Sequence, residues 1–396
     1  MPRFIFLPAL FPLRSLTMVA AAMIAGFFPV LADENANQDS APQAASEASK
    51  PEMEAIRLSP DGRDFVFART GRRFVAWGFN YDHDATGRLI EDYWLDEWDR
   101  VVQDFREMKD LGANTVRIHL QLARFVRSAE EIDAATVAQL KRLLRLAEDT
   151  RLYLDITGLG CYHKHDVPAW YDALNEQDRW AVQARFWEAV AQACAESPAV
   201  FCYDLMNEPV LPGEGRPETD WLPGEFGGKH FVQRLTLDLA GRTRIEVAAA
   251  WAARMAAAIR KHDPHRLITV GIIPWAAVFP GAKPIFYSPE VGKHFDFVSV
   301  HFYPETGKVD DALRALAVYD VGKPVLVEEL FPLKCGLDEL DAFVEGSRPI
   351  ADGWIGFYWG EPGGKPQESP DDLTAALIRQ WLRYFERKSG TITIAN

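Results

Sequence analysis

Two apolar runs in this chain end on carboxylates. Residues 201–210 read FCYDLMNEPV and finish on Asn207, Glu208 and Pro209. Residues 323–330 read KPVLVEEL and finish on Glu328 and Glu329. Similar runs carry Asn80, Arg117, His119, His301, Tyr303, Tyr358 and Trp359 at or near their ends. Two carboxyl groups that face each other can cleave a glycosidic bond. One protonates the leaving oxygen, and the other attacks the anomeric carbon or activates water that does so. The pair needs opposite protonation states near neutral pH, which unlike environments supply.

His163-Lys164-His165-Asp166 offers a different chemistry, because His-x-His is a metal-ligand spacing. Such ligands in a barrel sit on a strand and recruit more His and Asp from other strand ends. Here those ends hold glutamates and aromatics, so these residues read as loop histidines. The four cysteines, Cys161, Cys194, Cys202 and Cys335, match no zinc spacing, and their pairing is open.

The elements that position these residues alternate along the chain. A hairpin with its turn near Thr70-Gly71 leads into a first strand, 74–79. Further strands are predicted at 114–120, 152–158, 200–206, 267–273, 295–302, 324–330 and 354–360. Apolar residues at helical spacing follow most of them: Trp98, Val101, Phe105 and Met108, or Val247, Trp251, Met255 and Ile259. Eight βα units with continuously apolar strands predict an α/β fold, a (β/α)8 TIM barrel with a short N-terminal hairpin and a long loop after strand four. A doubly wound sheet would want a glycine-rich turn after strand one. Only Gly158-Leu159-Gly160, after strand three, comes near one.

The chain has 396 residues, 48% of them hydrophobic, and a formal net charge of −14. That charge repels polyphosphates and excludes nucleic acid as a natural partner. A neutral substrate fits better. Residues 15–32 carry no charge and end on Val30-Leu31-Ala32 before Asp33, which reads as a secretory signal peptide over 1–32. The competing reading is an uncleaved membrane anchor. Residues 33–55 are polar and proline-punctuated and read as a flexible linker, leaving 56–390 for the barrel. The expected product is a secreted or periplasmic monomer, off the membrane once its leader is removed.

The motifs LMNEP on strand four, HFY on strand six, KPVLVEEL on strand seven and a tryptophan on strand eight resemble family 5 glycoside hydrolases. These are the cellulase- and mannanase-like members of the retaining (β/α)8 glycosidase clan. The resemblance spans about Ile56 to Phe385. It implies that Glu208 is the general acid/base and that Glu329, five residues beyond Pro324, is the nucleophile. Period-two alternation places Glu328 on the opposite face, towards the helices. The resemblance further implies that Arg117 contacts the nucleophile and holds it ionised. Asn207 would bind the substrate 2-hydroxyl, Tyr303 would hydrogen-bond the nucleophile and His301 would line the same wall. Trp359 would stack under the sugar. No cofactor or metal is implied. The sequence departs from the family at the end of strand three, which lacks a histidine there, and at Glu-Glu-Leu-Phe on strand seven.

Trp275, just past strand five, is either a sugar platform or rim packing. The long excursion 210–244 lies on the catalytic face, and Trp221, Phe226 and His230 are candidates for one cleft wall. The function expected is retaining hydrolysis of β-linked neutral poly- or oligosaccharides. A non-catalytic carbohydrate-binding barrel, a metal-dependent barrel hydrolase using His163–Asp166 and a transglycosylase are the alternatives.

Overall fold

The computed structural model describes residues 52–393 apart from 85, 214–219, 358 and 360–372. The expected leader, most of the expected linker and Tyr358 therefore lie outside the described residues.

The barrel strands are β1 (Ala76–Tyr81), β2 (Thr115–Gln121), β3 (Tyr153–Gly160) and β4 (Val200–Asp204). They continue with β5 in two halves (Leu267–Thr269 and Gly271–Ile272), β6 (Val298–His301), β7 (Val325–Leu330) and β8 (Ala351–Gly356). All pair in parallel. The first half of β5 pairs with β4, the second half pairs with β6, and β8 returns to β1. The ring closes because β5 breaks at Val270 and hands its pairing from one neighbour to the other. Every residue of these strands is buried, as expected when side chains fill both the barrel and the helix layer.

The helices that cover the ring are α1 (Trp98–Asp110), α2 (Ala134–Thr150), α3 (Glu176–Cys194) and α4 (Arg244–Arg260). After them come α5 (Pro289–Gly292), α6 (Val309–Leu316), α7 (Leu337–Ser347) and α8 (Leu373–Thr393). Local chemistry sets several of their starts. Asp133 and Asn175 accept from the backbone N–H three residues on, and Thr243 with Glu246 makes a capping box. Such caps satisfy donors that the first turn leaves orphaned.

Two expectations are corrected. Strand eight was predicted at 354–360, but β8 begins three residues earlier, at Ala351. Ala-Asp-Gly has little strand propensity, and ring closure overrides it by pairing Gly353 with Ala76. That approach is so close that a Cβ on Gly353 would lie 2.7 Å from the Ala76 Cβ. The N-terminal hairpin also has a different job. Ile56–Leu58 pairs antiparallel with Phe65–Phe67, and the turn at Gly71 adds only one bridge, Val66 to Arg73. The fully buried Phe65 ring sits 5.0 Å from the rings of both Phe201 and Phe297, at the N-terminal ends of β4 and β6. Phe74, Tyr153, Leu267 and Leu326 join this cluster. The strand pair thus plugs the base of the barrel, opposite the end where the polar residues collect.

Gly158-Leu159-Gly160 is a packing feature. A Cβ on Gly158 would come 2.5 Å from the Trp187 ring, so the strand runs directly against α3. The cysteines are free thiols.

Candidate active site

Polar side chains gather at the C-terminal ends of β1, β2, β4, β6 and β7. Beyond β4 the chain turns sharply at Glu208, whose φ is 45°. A left-handed conformation costs a non-glycine residue on the order of 1–2 kcal/mol. The Glu208 N–H is tied to the Gly271 carbonyl at 2.9 Å, which holds the turn against β5. The turn leaves the Glu208 side chain 17% exposed at the mouth and keeps Asn207 below it.

Arg117, rising from β2, has no exposed surface and organises the floor. One terminal nitrogen donates to Asn80 Oδ1 at 2.9 Å and to Glu329 Oε1 at 2.8 Å. The other donates to Asp204 Oδ2 at 2.7 Å and to Asn207 Oδ1 at 2.9 Å. Asn80 gives its amide hydrogens to the carbonyls of Glu328 and Gly356, so its oxygen accepts from both Arg117 and His119. That fixes the His119 tautomer: Nε2 carries hydrogen, and Nδ1 accepts from Tyr162 Oη at 2.5 Å. Burial and the Arg117 charge keep this imidazole neutral by lowering its pKa well below the usual value.

Glu329 accepts from Tyr303 Oη at 2.6 Å in addition to Arg117. Burial raises its carboxyl above the ordinary range, Glu208 adds to this, and His301, Arg117 and Tyr303 pull against it. His301 lies between the two glutamates. Its Nδ1 is 2.9 Å from Glu208 Oε1 and 3.4 Å from Glu329 Oε2. On its other side Nε2 is 3.4 Å from Glu328 Oε2. Burial alone would favour the neutral ring, but Glu329, Glu208 and Glu328 outweigh it and push the pKa up to about 10. His301 is therefore an imidazolium at neutral pH.

Glu328 overturns the alternation argument. It points into the barrel, where Ser299 Oγ donates to it at 3.2 Å and Arg117 lies 3.6 Å away. The cause is a bulge. Val300 faces Val327 but His301 faces Glu329, so two residues of β7 oppose one of β6 and both glutamates turn inward. Burial works against the Glu328 charge, and Arg117 with His301 overcomes it, holding the pKa down at about 2.

The other predicted residues divide. Trp359 is 2% exposed and packs edge-on against Phe79, whose own ring stacks on Phe385 of α8. Phe79 alternates with the inward Asn80, so Trp359 sits among the rings of the helix side, and the expected sugar platform is not there. Trp275 is 43% exposed on a single turn after β5 and stacks with the exposed Phe279. Trp221 belongs to the core rather than to a cleft wall. It donates to the Asp172 carbonyl and lies under the Arg179 guanidinium. Phe226 is exposed, while His230 is tied to Gly224 and Tyr162.

Sequence reasoning missed Phe231 and Phe357. These partly exposed rings form an arc with Tyr162 and Tyr303, at centroid separations of 4.9, 6.2 and 6.4 Å. Phe231 also accepts from Asn207 Nδ2. No local motif marks either residue. Asp155 and Asp204, buried below the floor, were hidden because each lies inside a strand that reads as apolar.

Glu208, His301 and Glu329 bring ligand atoms within 4.8 Å of one another, close enough to converge on an ion. Their hydrogen bonds to each other, to Tyr303 and to Arg117 already occupy those atoms, which favours acid–base chemistry there. Neither His163 nor His165 belongs to a metal-capable group among the described residues.

A (β/α)8 barrel with two glutamates facing across its C-terminal mouth defines a glycosidase-type site. The sequence model Cellulase (glycosyl hydrolase family 5) matches residues 78–348. The chain belongs to that family and is a glycoside hydrolase.

No curated protein matches the chain. Solved structures share the fold at low identity. An exo-β-1,4-mannosidase from Opitutaceae bacterium strain TAV5 is 18% identical with a TM-score of 0.62, covering 85% of this chain and 62% of that one. The chain thus spans less than two thirds of that mannosidase. A β-1,4-D-mannanase from Cryptopygus antarcticus is 14% identical at TM-score 0.59, over 85% and 95%. The catalytic domain of an endoglucanase from Thermobifida fusca is 17% identical at 0.50, over 78% and 85%.

Proposed function

We propose that the protein hydrolyses β-linked neutral poly- or oligosaccharides with retention of configuration. The observation that carries this is the Glu208–Glu329 pair, with oxygens within 4.8 Å of one another. Inverting enzymes hold their carboxyl groups roughly 6.5–9.5 Å apart to admit a water between them, and retaining enzymes hold them about 5–5.5 Å apart. Glu329 attacks the anomeric carbon while the Glu208 proton passes to the departing oxygen. Water then attacks the same carbon, its proton passes to Glu208, and the Glu329 ester bond breaks. Tyr303 and Arg117 hold Glu329 in line. Asn207 keeps one amide hydrogen beyond its bond to Phe231, which suits it to the sugar 2-hydroxyl.

The test is kinetic. Glu329→Ala should abolish turnover of an activated aryl β-glycoside, and azide should restore it as a glycosyl azide of inverted configuration. Near-normal activity in this variant would overturn the assignment. Glu208→Ala should slow poor leaving groups far more than good ones, since acid assistance contributes roughly 10²–10⁴-fold. The net charge of −14 supports a neutral substrate over an acidic polysaccharide.

The leader-like residues 15–32 support export. N-terminal sequencing of exported protein should read from Asp33, and full-length chain retained in the membrane would speak for the anchor instead.

A further inference from the structure

Below the reacting pair lies a second layer of charge. Five carboxyl groups (Asp155, Asp204, Glu208, Glu328 and Glu329) share the barrel end with two cations, Arg117 and His301. They cannot all be ionised in a buried volume. Asp155 resolves part of the excess. Burial and the charged Glu328, against which its carboxyl packs, raise its pKa well above the usual range. Asp204 is bound by Arg117, by Thr157 Oγ1 at 2.8 Å and by the Gly271 N–H at 2.8 Å.

Glu328 differs from these two. It contacts the face of His301 turned away from the catalytic glutamates, and it has no exposed surface. Gly271 makes room for it, since a Cβ there would collide with its carboxylate and come 2.7 Å from His301 Nε2. Arg117, Asp155, Asp204 and Cys202 face Glu328 from β2, β3 and β4, with Tyr287 packed behind β5.

Double displacement makes this contact consequential. Forming the glycosyl-enzyme converts the Glu329 carboxylate into a neutral ester, so His301 loses one of its anionic partners halfway through the cycle. Glu208 must then be ionised to accept the proton of water.

We propose that Glu328 is a positioning residue, the permanent counter-ion that keeps His301 cationic while the Glu329 charge is consumed. The retained imidazolium, hydrogen-bonded to Glu208 through Nδ1, favours the ionised Glu208 that the second step requires. This rests on the double-displacement reading above.

The experiment is Glu328→Gln in the full chain, assayed on an aryl β-glycoside whose departure is fast enough to make deglycosylation limiting. Without the counter-ion His301 gives up its proton once Glu329 is esterified, and the ionised Glu208 loses the cation that favours it. The acid limb of kcat should move up by about one pH unit, since an opposite charge shifts a neighbour by about 1–3 units, while kcat/KM, which reports the free enzyme with Glu329 still charged, should keep its limbs. On the acid side kcat should fall on the order of 10-fold and recover at higher pH. Azide, which needs no base, should restore kcat and yield a glycosyl azide of retained configuration. An unshifted acid limb of kcat, or a loss that azide does not repair, would overturn the proposal.

A second measurement does not depend on the variant's folding or on turnover. In wild-type protein with ¹⁵N-labelled histidine, His301, assigned against His301→Gln, should still be an imidazolium at pH 8. A neutral ring at pH 8 would sink the counter-ion proposal alone. Absence of wild-type turnover on any aryl β-glycoside would instead sink the hydrolase reading.

Discussion

At the scale of single residues, the site is a chain of charges arranged around one histidine. His301 holds its proton because carboxylates lie on both sides of it, and that has a measurable consequence. A group whose folded pKa is raised stabilises the native state fully below its unfolded value, and that contribution is lost as pH climbs through the folded value. For His301 the loss should run from about 6.5 up to about 10. Glu328 has the opposite sign: its contribution is complete above about 4.3 and lost as pH falls toward about 2. The midpoint of thermal unfolding should therefore decline on the alkaline side more steeply in wild type than in His301→Gln. Parallel profiles would show that the histidine does not carry this linkage. Glu208, Glu329, Arg117, His301 and Tyr303 were singled out in the sequence by short motifs at or near strand ends and by the family resemblance, and the structure brings them together at one barrel end. Glu328 was misjudged because strict alternation takes no account of a bulge.

At the scale of elements, two irregularities build the site, one in β7 and one in β5. The β7 bulge turns both glutamates inward. The β5 break at Val270 is pinned by Tyr287, whose hydroxyl donates to the Val270 carbonyl at 2.6 Å and accepts from the Ser299 N–H at 2.8 Å. Gly271 then serves three neighbours at once. Its N–H binds Asp204, its carbonyl receives Glu208, and its missing side chain leaves space for Glu328. Gly271→Ala should cost roughly 1–3 kcal/mol, the usual penalty for overpacking a filled interior. It should also depress kcat by displacing Glu328 and His301. Urea denaturation together with kcat would check both, and an unchanged unfolding midpoint would mean that the carboxylate has room to move. Glycine inside LITVGII carries no sequence signal for this role, because the collision partner arrives from β7, nearly sixty residues on.

At the scale of the whole molecule, the barrel works as a tube closed at one end. The N-terminal strand pair closes it with Phe65, set edge-on to Phe201 and Phe297. The catalytic mouth lies at the other end. Phe65→Ala should destabilise by about 3–5 kcal/mol, as for other buried aromatics truncated to alanine. The geometry of the active site should survive, so KM should hold at temperatures where the variant stays folded. A loss below about 1 kcal/mol would show that the plug collapses around the gap. The β-prone residues of this strand pair were visible in the sequence, though the expected turn at Gly71 turned out to contribute little of the pairing. Its place against the barrel base was not, because those contacts join residues more than a hundred positions apart.

Taken alone, the sequence determined the class of fold, the order of the strands and the ordinal positions of the two glutamates proposed to react. Those follow from local hydrophobic period and from short motifs, and both survive without knowledge of what lies across the barrel. Tertiary structure decided the direction of each side chain and the charge it carries. Closing the ring put Glu328 inside and buried Trp359 among the outer rings. It also brought Phe231 and Phe357 beside Tyr303. The protonation of His301 depends on three carboxylates drawn from β7 and the end of β4, and only the folded barrel brings them within reach of one imidazole.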